Sequence, residues 1–408
     1  MISLLLLTGS GILAMLGTFL PYRKTLITLI VLGYLTAFAA LWCPIPSITL
    51  FSLQETALPI SATLLAIAGI LLLLLRPAKQ GLLSNPFNHV AILLFSLVGA
   101  LLMVGFEHMV LLFLGLEILS LPLYVMAASQ ANSPASKEAA LKYFILGAFA
   151  SSLLLLGITF GYGATHSFVL YDLLTAAPTL YSQLGFLFLL AGLGFKLGIV
   201  PFHSWVPDVY EGSPTLYTGY MATVVKLAAG YAFIRIFGFP GVLSHQSNLF
   251  AALAVIGMTV GNLMALKQHN PKRILAYSSI AQMGYLLLAF VGTQPSPPSA
   301  LIYLGAYALA SLGTFAVLTL IETKQVPLGG LIKKHPILAW IWILSLLSLA
   351  GIPPLPGFLA KITLFFHVFT QGHPVLVIVA VVNSLISLGY YGQLAFTALS
   401  SPQEASAE

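Results

Sequence analysis

The chain has 408 residues, of which 59% are hydrophobic and only 6% charged, with a mean hydropathy of +1.01. Soluble domains carry roughly 25% charged residues because their surface faces water. Sixteen basic and ten acidic side chains are too few to coat a soluble protein of 43.5 kDa, so most of the surface must face lipid. The one cysteine, Cys43, excludes a disulfide framework and any thiolate metal cluster built from this chain alone.

The N-terminal run MISLLLLTGSGILAMLGTFL lacks a basic leading region, so it reads as a retained first span rather than a cleaved signal. Neither end carries a lipidation motif. Apolar runs long enough to cross a bilayer lie near 2–20, 25–43, 57–75, 88–106, 108–127, 139–162, 184–200, 216–237, 248–266, 274–291, 299–320, 336–370 and 374–399, about thirteen in all. Barrel strands need only about ten alternating residues, so the expected fold is an all-α polytopic membrane protein. Ser133-Pro134 and Asn270-Pro271 read as N-caps followed by proline at the first helical position. The segment Thr293-Gln-Pro-Ser-Pro-Pro-Ser299 reads as a non-helical connector.

Eleven of the sixteen lysines and arginines fall after odd-numbered spans: Arg23, Lys24, Arg76, Lys79, Lys137, Lys267, Lys272, Arg273, Lys324, Lys333 and Lys334. Lys142 joins them just inside its span, and Arg235 alone lies near the opposite face. By the positive-inside rule the N-terminus faces outward and the tail SPQEASAE faces the cytoplasm. The net charge of +6 is therefore a topology signal, and no nucleic-acid partner is expected.

Lys196, Lys226, Lys361 and Glu117 remain, each well inside an apolar run. A charge at the bilayer centre costs at least about 2.5–3.5 kcal/mol on insertion scales. A lysine near a helix end escapes by snorkelling, which is open to Lys142. It does not serve Lys196 or the short Glu117, and a purely structural scaffold has no reason to bear four such penalties. Desolvation moves buried lysine and glutamate toward proton exchange near neutral pH, so these groups form a proton store.

Two spans are broken beside their lysines. After Lys196 comes GIVPFHSWVPDVYEGSP, and before Lys361 comes LAGIPPLPGFLA. Proline removes a backbone hydrogen bond, and non-helical backbone at membrane depth survives only inside protein or beside a wet cavity. Paired broken helices point to an ion site and internal repeats, and the lysine precedes one break but follows the other, as inverted repeats would have it. Tyr303, Tyr307 and Ser311 share one helix face, as do Ser278 and Gln282; helix-packing glue explains them equally well. His203 and His367 lack a second ligand one turn away and read as structural or water-facing, so no metal site is expected. No phosphate loop, nucleophile elbow, haem ligand pair or nucleotide fingerprint occurs.

Six motifs in order carry a resemblance: GLEILSLPLYVMAA with Glu117, EAALKYFILGAFASSLLLLG with Lys142, GLGFKLGIVPFHSWVPDVYEGSPT with Lys196, VVKLAAGYAFIRIF with Lys226, GNLMALKQHNPKRILAYSSIAQMGYLLLA, and SLAGIPPLPGFLAKITLF with Lys361. From about residue 85 to 398 the chain resembles the antiporter-like membrane subunits of respiratory complex I, its N-type branch most of all. Lys361, where related branches usually have glutamate, and the wording WVPDVYEGSP both favour that branch. The resemblance implies two inverted five-helix repeats, spans four to eight within 86–240 and nine to thirteen within 241–400, after packing helices in 1–85 and before a polar tail, 401–408. It implies a proton relay of Glu117, Lys196, Lys226 and Lys361, with Lys142, His203, Tyr303, Tyr307 and His367 as accessory residues. It implies no cofactor in this chain, with FMN, iron–sulfur clusters and quinone in partner subunits. The expected partners are an adjacent M-type subunit and small membrane subunits, in a bacterial cytoplasmic membrane. Members usually have fourteen spans, one more than counted here. A cation/proton antiporter or membrane-bound hydrogenase subunit is the alternative of the same fold.

Overall fold

The computed structural model describes residues 2–16, 23–39, 41, 57–73, 86–130, 132–239 and 247–400. Cys43, Arg76, Lys79 and the tail 401–408 lie outside the described residues. The helices in the first part of the chain are α1 (Ile2–Leu16), α2 (Arg23–Ala39), α3 (Ala57–Leu73), α4 (Pro86–Val104), α5 (Met109–Ala127), α6 (Pro134–Thr165), α7 (Leu170–Thr175), α8 (Leu180–Leu197), α9 (Trp205–Gly212), α10 (Thr215–Tyr220) and α11 (Lys226–Phe237). There follow α12 (Ser247–Leu266), α13 (Pro271–Leu286), α14 (Pro297–Lys324), α15 (Leu331–Lys334), α16 (Pro336–Ala350), α17 (Pro356–Thr370) and α18 (Pro374–Leu399). A π-helical turn, Met221–Val225, joins α10 to α11, and a 3₁₀ turn, Leu287–Phe290, prolongs α13. Among the described residues the fold is all-α, with nine helical runs long and apolar enough to cross a membrane. The first three helices and the paired α16 and α17 are shorter apolar pieces.

The helix starts follow local chemistry. The Ser133 side chain accepts from the Ser136 backbone N–H, with Pro134 at the first helical position. Asn270 does the same for Lys272, with Pro271 following. Where 293–299 was expected to be a non-helical connector, α14 begins at Pro297. Two prolines open it because the first turn has no use for their missing N–H groups.

By contact the chain forms two compact units, Met1–Lys196 with Gly212–Ile236, and Leu197–Glu211 with Phe237–Glu408. In the first unit α4 and α5 meet through glycine: a Cβ on Gly99 would lie 2.2 Å from the Leu119 nitrogen and 2.6 Å from the Gly115 oxygen. With no hydrophobic drive between helices in lipid, such small residues bring backbones into van der Waals contact. The second unit uses the same device between α12 and α13, where a Cβ on Gly261 would lie 2.5 Å from the Ala281 nitrogen. Each broken pair opens on a glycine with positive φ, Gly198 at +74° after α8 and Gly351 at +88° after α16, a conformation L side chains rarely adopt.

Candidate functional site

In the first unit Lys196 occupies the last turn of α8 and is 1% exposed. Its Nζ donates to the Tyr143 hydroxyl at 3.3 Å and stands over the rings of Tyr143 and Tyr124, 4.8 and 5.3 Å from their centroids. Aromatic faces stabilise a desolvated cation by on the order of 1–2 kcal/mol each, which offsets part of the penalty of burying it. Glu117, on α5, lies within Coulombic range of Lys196, but no ion pair joins them within 4.0 Å. Its Oε1 is buried and has no hydrogen-bond partner among the described residues. A carboxylate oxygen left without a donor is costly, and the cost falls when a proton or a cation approaches.

Lys226 is fully buried and opens α11 directly after the π-turn. Thr223, in that turn, donates its hydroxyl to the Gly219 carbonyl at 2.6 Å. Such side-chain competition for a carbonyl loosens the helical ladder, and single π-turns concentrate at functional sites.

In the second unit Lys361, on α17, is 3% exposed. Its Nζ donates to the Ala350 carbonyl at 2.8 Å and to Ser384 Oγ at 3.3 Å and lies 4.6 Å from the Tyr285 ring centroid. Beside it is a cavity of about 10 Å³ whose walls include Lys361, Gln282, Tyr303, Tyr307 and Ser348, room for about one water molecule. Gln282 orders the polar wall: it accepts from Tyr303, and its Nε2 donates to the Leu349 carbonyl at 2.9 Å and to Tyr391 at 3.0 Å. Ser278 bonds Tyr391 at 2.5 Å.

The remaining expected residues spread out. Lys142 faces outward on α6 and pairs with Glu138 at 2.7 Å, the two side chains 41% and 65% exposed. His203 is half-buried in the turn after α8. His367 is buried and bonded through Nε2 to the Val291 carbonyl at 3.1 Å. Asp208 and Glu211, on α9, hold Arg273 of α13 at 3.0 and 2.7 Å, and Asn270 donates to Glu211 at 3.0 Å. This cluster lies within the second unit and ties α9 to α13.

The sequence reading missed the tyrosines that face the lysines, Tyr124, Tyr143 and Tyr285, and the α12–α18 link in which Asn262 donates to Asn383 Oδ1 at 3.1 Å. Tyr143 stood in plain view beside Lys142 in EAALKYF. Among the described residues no cluster of three metal-ligating side chains occurs.

The family described as NADH:quinone oxidoreductase/Mrp antiporter, TM, matches residues 107–387. The NADH-quinone oxidoreductase subunit N of Cytophaga hutchinsonii is 37% identical over 411 aligned positions, 95% of this chain and 88% of that protein. The subunit N of Nitrosomonas europaea is 40% identical over 331, 77% of this chain and 68% of that protein. A chain in respiratory complex I from Thermus thermophilus, solved with bound aureothin, is 34% identical with a TM-score of 0.85, covering 98% of this chain and 90% of that one. A chain of the membrane-bound sulfane sulfur reductase, an archaeal respiratory membrane complex, shares the fold at 22% identity with a TM-score of 0.87, covering 97% and 87%.

Proposed function

The chain belongs to the NADH:quinone oxidoreductase/Mrp antiporter family, among its N subunits, and we propose that it is the N-type proton-translocating membrane subunit of a proton-pumping NADH:quinone oxidoreductase. The carrying observation is the placement of Lys196 and Lys361, two buried amines held at the C-terminal end of the first half of a broken helix. Such ends carry partial negative charge, and in transporters they are where cations and protons are held.

In this reading the driving free energy comes from redox chemistry in partner subunits, which hold FMN, iron–sulfur clusters and quinone. This chain supplies the proton path. A perturbation reaching Glu117 alters its charge balance with Lys196; the disturbance passes to Lys226 and then to Lys361, which releases a proton outward. Transfer against 100 mV costs about 2.3 kcal/mol, the size of a pKa swing of a couple of units. Tyr303, Tyr307 and the small cavity beside Lys361 serve the outward step, and His203, His367 and Lys142 act as accessory groups. The partners are an adjacent M-type subunit and small membrane subunits. The membrane is a bacterial inner membrane, with the N-terminus outside and the C-terminus cytoplasmic.

A cation/proton antiporter or membrane-bound hydrogenase subunit of the same fold is the alternative. Gentle extraction, native-gel separation and mass spectrometry of co-migrating chains test the choice. Co-migration with flavin and iron–sulfur subunits in a large assembly that oxidises NADH is expected. Co-migration with only a few small membrane subunits would assign the chain to an antiporter.

A further inference from the structure

His89 is a buried titratable group that the relay above does not use, 5% exposed in the first turn of α4. Its Nδ1 is hydrogen-bonded to the hydroxyl of Tyr217, on α10, which is likewise 5% exposed. The two rings are parallel, their planes 2° apart and their centroids separated by 5.9 Å. The Tyr217 hydroxyl meets Nδ1 directly, so a proton on either atom has an acceptor in hydrogen-bond contact.

The pair also stands at the right place. It lies where α4 begins, directly after the stretch holding Arg76 and Lys79, the side assigned to the cytoplasm. Along α10 the next residue on the same path is Tyr220, 1% exposed, whose hydroxyl is buried without a hydrogen-bond partner among the described residues. A buried hydroxyl of that kind is a natural station for a bridging water. The π-turn follows, then Lys226. From Tyr217 to Lys226 is nine residues, roughly 13 Å of helix.

We propose that His89 and Tyr217 form the proton-uptake pair of the first unit, taking a proton from water and passing it inward toward the buried lysines. A proton delivered by water adds to Nε2 of the neutral ring. The Nδ1 proton passes to the Tyr217 oxygen, and the original Tyr217 hydroxyl proton leaves to a water molecule on the inner side. One N–H and one O–H bond form and one of each breaks, so both side chains end neutral; the first tautomer returns when Nε2 gives one proton back to water and Nδ1 takes one up from water.

The inference rests on the proton-translocating reading above, and the test separates the two. Inverted membrane vesicles containing the whole complex are supplied with NADH, and lumen acidification is read together with NADH oxidation for Tyr217→Phe, His89→Gln and Lys196→Ala. Tyr217→Phe keeps the ring and its packing and removes only the transferable proton. Acidification is expected to fall about ten-fold or more in Tyr217→Phe and His89→Gln, the scale of a lost proton-transfer group, with the complex assembled. Normal acidification in Tyr217→Phe, with Lys196→Ala silent, overturns the uptake pair and leaves the relay standing. Normal acidification in Lys196→Ala overturns the relay itself. Should His89→Gln fail to assemble, Tyr217→Phe decides alone.

Discussion

Lys361 reaches back across the break in its helix pair to donate to the carbonyl of Ala350, the last residue of α16, at 2.8 Å. Lys196 needs no such reach, because it sits in the last turn of α8 itself. One lysine precedes its break and the other follows it, yet both meet the negative end of a helix dipole. Among the described residues neither lysine makes an ion pair within 4.0 Å.

The contact depends on Gly351, whose φ is +88° and whose added Cβ would lie 2.9 Å from Lys361 Cδ. Gly351→Ala is expected to cost about 1–2 kcal/mol from backbone strain and to push the amine off Ala350. The thermal midpoint of the purified complex should fall and pumping should drop with it; an unchanged midpoint would contradict the strained cap.

Lys196→Ala is expected to lower proton pumping about ten-fold or more with the complex assembled. Lys142→Ala is the contrasting case, because its ion pair with Glu138 is largely solvent-exposed and such pairs contribute roughly 0–1 kcal/mol. Acidification assays on assembled complexes compare them directly; equal losses would show that burial does not rank the two lysines.

Arg273→Ala removes the arginine that Asp208 and Glu211 of α9 both bond. The groups are about one-third exposed, so the expected cost is about 1–2 kcal/mol rather than that of a buried pair. Adding Asp208→Asn and Glu211→Gln to Arg273→Ala should recover part of the thermal midpoint. No recovery would place the loss in packing instead of charge.

Gly99→Ala would set a Cβ against the backbone of α5, 2.2 Å from the Leu119 nitrogen, whereas a Cβ on Gly305 of α14 meets nothing within 4 Å. Overpacking of this kind costs about 1–3 kcal/mol, so the yield of assembled chain should fall for Gly99→Ala and hold for Gly305→Ala.

The spans, both breaks and the buried lysines were legible because they rest on local signals: long apolar runs, proline and glycine clusters, and charges inside them. What surrounds the lysines was not. Lys142 and Tyr143 are consecutive and so point about 100° apart on α6. The conspicuous lysine of that motif faces outward, and the tyrosine beside it meets Lys196. The tyrosines that face each lysine come from helices distant in sequence, and so do the partners of the Asn262–Asn383 link. Periodicity does not report such pairings. The π-turn before Lys226 left no signal either, because MATVV reads as ordinary helix.

The Arg273 cluster also bears on how the protein is made. Asp208 and Glu211 leave the ribosome 65 and 62 residues ahead of the arginine that neutralises them. At about 5–20 residues per second, the two acids wait several seconds without their counterion. These ion pairs are therefore late contacts in synthesis, formed only once α13 has been made.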